Sequence, residues 1–276
     1  MDTNKHVRAD AYGLLERAVA SDDTAQHAER IRLVGYTVVP SGFSREAVDE
    51  LGVRLNVVLQ QQIDEFGADR MLVIGDTLTA RCLLAYDGSF LQLAAHPAVL
   101  AICRSLLGSY VVLMQQNGVI NTPQQRHSQV AYHRDLPYQH FVSSRPLAIS
   151  ALFCIDAFRV ENGATTVLPA SHRVEAFPSD GVAEQLDTPV TAEAGSFILF
   201  DSMLFHRAGV NRSDRPRRAV NQVFTVPLIA QQISLPEALQ GRYQEDPGLA
   251  RLLGYDMAPP GSVLAWRERR LKRMQP

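Results

Sequence analysis

The chain has 276 residues, of which 46% are hydrophobic and 20% charged, with a formal net charge of -2. That balance excludes a general nucleic-acid binder, because phosphate neutralisation needs clustered Lys and Arg. The length supplies enough core that neither a disulfide nor a structural metal is needed to hold the fold.

The first quarter reads as helical, with apolar residues at helical spacing in "AYGLLERAVA" and "DTAQHAERIRL". "GYTVVPSGF" then switches to a short β-branched strand that ends at Pro40 and Gly42. Ser44 predicts an N-cap for the helix "REAVDELGVRLNVVLQQQIDEF". "HPAVLAICRSLLG" predicts an amphipathic helix closed by Gly108. From residue 110 the pattern changes to short strand-like runs: "SYVVLMQQNGVIN", "SQVAYHRD", "LAISALFCID", "TTVLPAS", "DTPVTAEAGSFILFD" and "RAVNQVFTVPL". Closely spaced short strands punctuated by Pro, Gly and Asn predict a jelly-roll type of β core. After Pro227 helical patterns return in "LPEALQGRY", "PGLARLLGY" and "PGSVLAWRERRLKRM". The basic end of that last segment reads as the solvated face of a final helix.

The expected organisation is therefore a single domain over 1–276. It has a mostly helical part at 1–109, a mainly β core at 110–228 and C-terminal helices at 229–276. Three widely spaced cysteines, Cys82, Cys103 and Cys154, contain no C-x-x-C pair, so reduced thiols and a cytoplasmic location are the expectation. The N-terminal stretch has no apolar signal region, and no apolar run reaches the roughly 18 residues of a membrane span. Neither a nucleic-acid nor a membrane partner is expected; the oligomeric state is not legible.

The chemistry begins at "YHRD". Side chains two apart on a strand share a face, so His133 and Asp135 point the same way and Arg134 points away. A carboxylate facing an apolar interior needs a cation or a metal. Such a dipeptide alone is more often a hydrogen-bonded pair at a sheet edge. His206, directly after the strand "SFILF", supplies a third ligand type. Two His and one carboxylate with open positions opposite form the facial triad of non-haem Fe(II) oxygenases, and the absence of thiolates favours Fe(II) over structural zinc. "RPRRAV" adds Arg215, Arg217 and Arg218. A guanidinium matches a carboxylate with two prongs. 2-Oxoglutarate could chelate a metal through its 2-oxo acid end while its C5 carboxylate reaches Arg217. Arg215 lies in the turn and Arg218 has the opposite parity, so both read as solvated.

These motifs together resemble the phytanoyl-CoA dioxygenase family of Fe(II)/2-oxoglutarate oxygenases, which includes ectoine hydroxylases. The resemblance rests on "GYTVVPSGFSREAVDEL", "HPAVLAICRSLLG", "YHRD", "ENGATTVLPASHR" and "GSFILFDSMLFHRAGVNRSDRPRRAV" in that order, and covers most of the chain. It implies a double-stranded β-helix (cupin-like jelly roll), with His133, Asp135 and His206 holding Fe(II) and Arg217 gripping the C5 carboxylate of 2-oxoglutarate. It also implies that Asn117 faces the pocket and that Tyr132 stands where many relatives have Trp, beside the metal ligand and the cosubstrate. Related halogenases carry a small residue in place of the carboxylate, so Asp135 points to hydroxylation or a related oxidation. Gln139 and His140, in the variable loop after the HxD motif, are candidate substrate contacts. His172 reads as a loop-ordering residue, Asp201 as a structural hydrogen-bonding residue, and His127 as a surface residue.

The implied reaction consumes O2 and 2-oxoglutarate, releases succinate and CO2, and oxidises an unactivated C–H of a small-molecule metabolite. The competing reading is a jelly-roll protein that binds a metal or small molecule and catalyses nothing. An intact set of His133, Asp135, His206 and Arg217 separates the two, since a degenerate binder would be expected to lose Asp135 or Arg217.

Overall fold

The computed structural model describes residues 18–123, 128–136 and 141–274. Gln139, His140 and His127 lie outside the described residues, as does most of the segment 11–20 expected to be helical.

Among the described residues, nine strands form two antiparallel sheets. They are β1 (Tyr36–Pro40), β2 (Thr79–Ala80), β3 (Val112–Asn121), β4 (Ala148–Cys154), β5 (Thr166–Val167), β6 (Thr188–Pro189), β7 (Ser196–Asp201), β8 (His206–Arg207) and β9 (Arg217–Thr225). The larger sheet has the order β1-β7-β4-β9-β3-β2 and the smaller one β6-β5-β8. The core is a jelly roll flanked by helices.

Strand parity divides the apolar residues between two layers. Ile149, Ala151 and Phe153 of β4 and Val220 and Phe224 of β9 face the helical side. There they join Leu51, Leu55, Val99 and Cys103 in the largest buried cluster. The alternate residues Leu152, Cys154, Ile198, Phe200 and Ala219 meet Val167, Val190 and Ala192 from around the smaller sheet. The functional residues described below share this second, inner face.

The helices start and stop where local chemistry directs. Ser44 Oγ accepts the Ala47 amide at 3.3 Å and opens the helix Arg45–Phe66. Pro97 starts the helix Pro97–Leu107, and Gly108 at φ +97° ends it. Helix 45–66 lies directly on β3. A Cβ at Gly118 would meet Leu55 Cδ1 at 2.0 Å, so only glycine admits the helix at that distance. All three cysteines are buried and unpaired. No single helix among the described residues is long and apolar enough to cross a membrane. The bent pair 88–94 and 97–107 that meets the length criterion supplies Phe90, Leu93, Val99 and Ile102 to the core.

Two expectations change. "SQVAYHRD" is not a regular strand: Ser128–Val130 forms a 3-10 turn, and His133 makes one isolated bridge. The segment is held by separate backbone contacts rather than a continuous ladder: the Gln129 carbonyl accepts the Ala208 amide at 2.8 Å, His133 pairs with His206, and the Asp135 amide donates to the Ser202 carbonyl at 3.0 Å. "TTVLPAS" contributes only two strand residues, because Leu168 turns to bond the Phe205 carbonyl and Ala170 adopts φ +63°. The last helix, Val263–Met274, forms where its pattern predicts and is largely exposed. Val263, Leu264, Trp266, Leu271 and Met274 are exposed on it, while Arg269 holds the helix down by donating to the carbonyls of Tyr255, Asp256 and Ala258.

Candidate metal centre

His133 and His206 sit opposite each other and exchange both backbone hydrogen bonds, at 2.9 and 3.0 Å. Their ring centres are 4.3 Å apart. Each ring is anchored in the same way. His133 Nδ1 lies 3.0 Å from the Ala131 carbonyl and His206 Nδ1 lies 3.0 Å from the Leu204 carbonyl. A carbonyl only accepts, so Nδ1 carries a proton in both rings, and in the neutral imidazole the lone pair is then on Nε2. That is the arrangement that orients imidazoles on a metal.

Asp135 completes the cluster. Its Oδ1 lies 3.5 Å from His206 Nε2 and 3.9 Å from His133 Nε2. One ligand atom from each of the three side chains falls within 4.8 Å of the others. Burial alone would raise the Asp135 pKa, but the adjoining His206 and His133 and the Ser150 hydroxyl hold it well below the usual carboxylate range. Burial, and then the neighbouring His206, push His133 below its ordinary value and favour the neutral, metal-binding form.

Arg217 opens β9 and points inward, whereas Arg218 points outward and pairs with Asp156 at 2.8 Å. Arg217 is 3% exposed and lies over the Phe158 ring, with its guanidinium carbon 4.0 Å from the ring centre. Burial pushes its pKa down to about 10, which leaves it cationic at neutral pH. Among the described residues its guanidinium makes no hydrogen bond or ion pair, and its Nε is buried without a partner. It lines the same inner cleft as His133, Asp135 and His206, together with Thr165 and Asn221. A wider cavity of about 260 Å³ adjoins this cleft at His133, Asp135 and Asn221; Thr79, Arg81, Gln115, Asn117 and Gln232 also line it.

The other expected site residues are distributed differently. Asn117 lines the outer cavity, with its side-chain oxygen accepting the Cys82 amide at 3.1 Å and its nitrogen donating to Gln232 at 2.9 Å. Tyr132 lines neither space: its hydroxyl bonds Asp187, and its ring packs on Phe177, 5.1 Å between centres. His172 is buried 3.3 Å from the Arg32 carbonyl. Asp201 Oδ1 accepts the Met203 amide at 2.9 Å, within the turn that leads to His206.

Four further residues emerge from the geometry. Ser150 and Asn221 donate to the far oxygen of Asp135, and Ser202 stands behind Ser150, hydroxyl to hydroxyl. The signal in the sequence was a polar residue at an inward parity in otherwise apolar strands. Arg134, between the two ligands of the HxD motif, is 3% exposed and lies 3.9 Å over the Phe205 ring. It donates to the carbonyls of Phe141, Ser171, Val174 and Glu175.

An antiparallel jelly roll with an inward His–Asp–His cluster and a buried arginine beside it defines a β-core protein with a candidate mononuclear metal centre. The sequence profile of the phytanoyl-CoA dioxygenase family matches residues 31–219, and the chain belongs to that family. It is 32% identical over 221 residues to the uncharacterized protein Rv1501 of Mycobacterium tuberculosis, covering 78% of this chain and 80% of that one. Among solved structures it is similar to EctD from S. alaskensis, crystallised with 2-oxoglutarate and 5-hydroxyectoine. That match has 22% identity and a TM-score of 0.63, over 76% of this chain and 79% of the other. It is also similar to the epimerase SnoN in complex with Fe3+, alpha-ketoglutarate and nogalamycin RO. That match has 22% identity and a TM-score of 0.57, over 74% and 84% of the two chains. At these identities the structural likeness carries the fold.

Proposed function

We propose that the protein is an Fe(II)- and 2-oxoglutarate-dependent dioxygenase that oxidises an unactivated C–H of a small-molecule metabolite. Overall, one O2 and one 2-oxoglutarate would be consumed, succinate and CO2 released, and one oxygen atom inserted into the substrate. His133, Asp135 and His206 would hold the iron, and the donor set fits it: two imidazole nitrogens with free lone pairs and one ionised carboxylate, without thiolate. The iron and its cosubstrate, when bound, supply the oxidising chemistry.

The single observation that carries the reading is Arg217. A buried cation without an acidic partner is costly to maintain, and here it lines the cleft that holds the three candidate ligands. A dicarboxylate bound between them would supply the missing anion. Arg217 would orient the cosubstrate through its far carboxylate. The Nδ1 anchors of both histidines would keep Nε2 aimed at the metal. The apolar residues Val119, Leu152, Phe200 and Ala219 that line the cleft would exclude water. No protein base is required for removal of a hydrogen atom.

The test is anaerobic addition of Fe(II) and 2-oxoglutarate to the apoprotein. A weak visible charge-transfer band is expected, absent in Arg217→Ala at matched concentrations. A colourless wild-type mixture with no affinity for 2-oxoglutarate would refute the reading.

A further inference from the structure

Asp135 uses its two oxygens differently. Oδ1 faces the imidazoles. Oδ2 is turned away and accepts from Ser150 Oγ at 2.5 Å and from Asn221 Nδ2 at 3.3 Å. A carboxylate can only accept, which fixes both partners. Ser150 must spend its proton on Asp135, so the Ser202 hydroxyl, 2.8 Å from Ser150 Oγ, must donate to Ser150. Both serines are fully buried at 0% exposure. The result is a one-way chain, Ser202 to Ser150 to Asp135, in surroundings where such chains reinforce one another.

Asn221 supports the same conclusion from the other side. With Nδ2 on Asp135, its Oδ1 is buried and has no hydrogen-bond partner among the described residues. An amide free to choose would not leave that acceptor unmatched, so its orientation serves Asp135. The three residues come from three different elements: β4, the turn after β7, and β9.

We propose that Ser150 and Asn221, with Ser202 behind Ser150, are positioning residues that restrict Asp135 to binding the metal through Oδ1 alone. This rests on the metal-centre reading above. A one-oxygen carboxylate takes one coordination position, whereas a two-oxygen carboxylate takes two and removes one from the cosubstrate and O2. Outer partners of this kind set metal affinity as well as ligand orientation, typically by about 10- to 100-fold.

The experiment titrates Co(II) into the apoprotein and reads both affinity and the d–d absorption, which responds to coordination number. Wild type is expected to bind one Co(II). Ser150→Ala and Asn221→Leu are expected to bind about 10- to 100-fold more weakly and with an altered absorption envelope. Ser150→Thr, which keeps the hydroxyl, should restore both readouts; a purely space-filling role would not discriminate Thr from Ala in this way. Ser202→Ala should give a smaller loss in the same direction and serves if Ser150→Ala does not fold. Variants that match wild type in affinity and spectrum would overturn the positioning role alone. A wild-type protein that binds no Co(II) would overturn the metal centre itself.

Discussion

His133 and His206 are direct cross-strand partners, joined by two backbone hydrogen bonds and nothing else of a ladder. The backbone bonds fix the two Cα positions, and the Nδ1 bonds to Ala131 and Leu204 fix the rings. The pair is therefore held at ligand spacing before any metal arrives. His206→Ala is expected to lower Mn(II) affinity, measured calorimetrically, by more than about 100-fold, given that outer partners alone account for about 10- to 100-fold. His172→Ala, which alters a buried histidine outside the cluster, should leave it unchanged.

Arg217 gives a prediction in which stability and binding move in opposite directions. Its charge is buried without an ion-pair partner among the described residues, so Arg217→Met should leave the apoprotein as stable as wild type or more so, by about 1 kcal/mol or more. The same change removes charge-assisted hydrogen bonds of about 1.5–3 kcal/mol each, and should weaken 2-oxoglutarate binding by at least about 10-fold. Arg217→Lys should recover only part of it, since an ammonium lacks the two-pronged fit. Thermal melts with and without 2-oxoglutarate read both effects; a strongly destabilised Arg217→Met apoprotein would indicate a structural role instead.

Asp201 should impose a pH dependence on stability. Burial raises its pKa to about 6, against an ordinary 3.8. A carboxyl with a raised folded pKa binds its proton more tightly in the folded state, so stability falls as pH rises from about 4 through 6. Asp201→Asn keeps the acceptor for the Met203 amide and removes the charge. It is expected to gain roughly 1–3 kcal/mol at pH 8 and nothing at pH 3.5, in urea melts at the two pH values. An equal effect at both would refute the assignment.

The contact between Gly118 and Leu55 is testable as a pair. Gly118→Ala overpacks the helix–sheet junction and should cost about 1–3 kcal/mol. Leu55→Ala also destabilises, but the double variant should be more stable than the two losses summed. Simple additivity in chemical denaturation would show that the helix lifts away freely.

Much of this site was legible because it obeys strand parity. The alternation along "RPRRAVNQVF" separates Arg217, inward, from Arg218, outward on Asp156. Parity also marks Ser150 and Asn221 as inward, but nothing in either strand says which side chain they meet, because 86 residues separate Asn221 from Asp135. Tyr132 shows the limit from the other side. Its neighbours in the chain suggest a regular strand beside the metal, whereas the backbone there makes a single bridge and the ring turns towards Asp187 and Phe177.

Arg134 has a mechanical consequence. Its one side chain fastens the segment that carries His133 and Asp135 to the ring of Phe205, the residue next to His206, and to backbone at 141 and 171–175. Four stretches of chain thus share one rivet. None of them can lift away without dragging a cation from an aromatic face and stripping it of carbonyl partners. Breathing of this shell is expected to act on both histidines at once, so that loop motion and ligand motion become a single event.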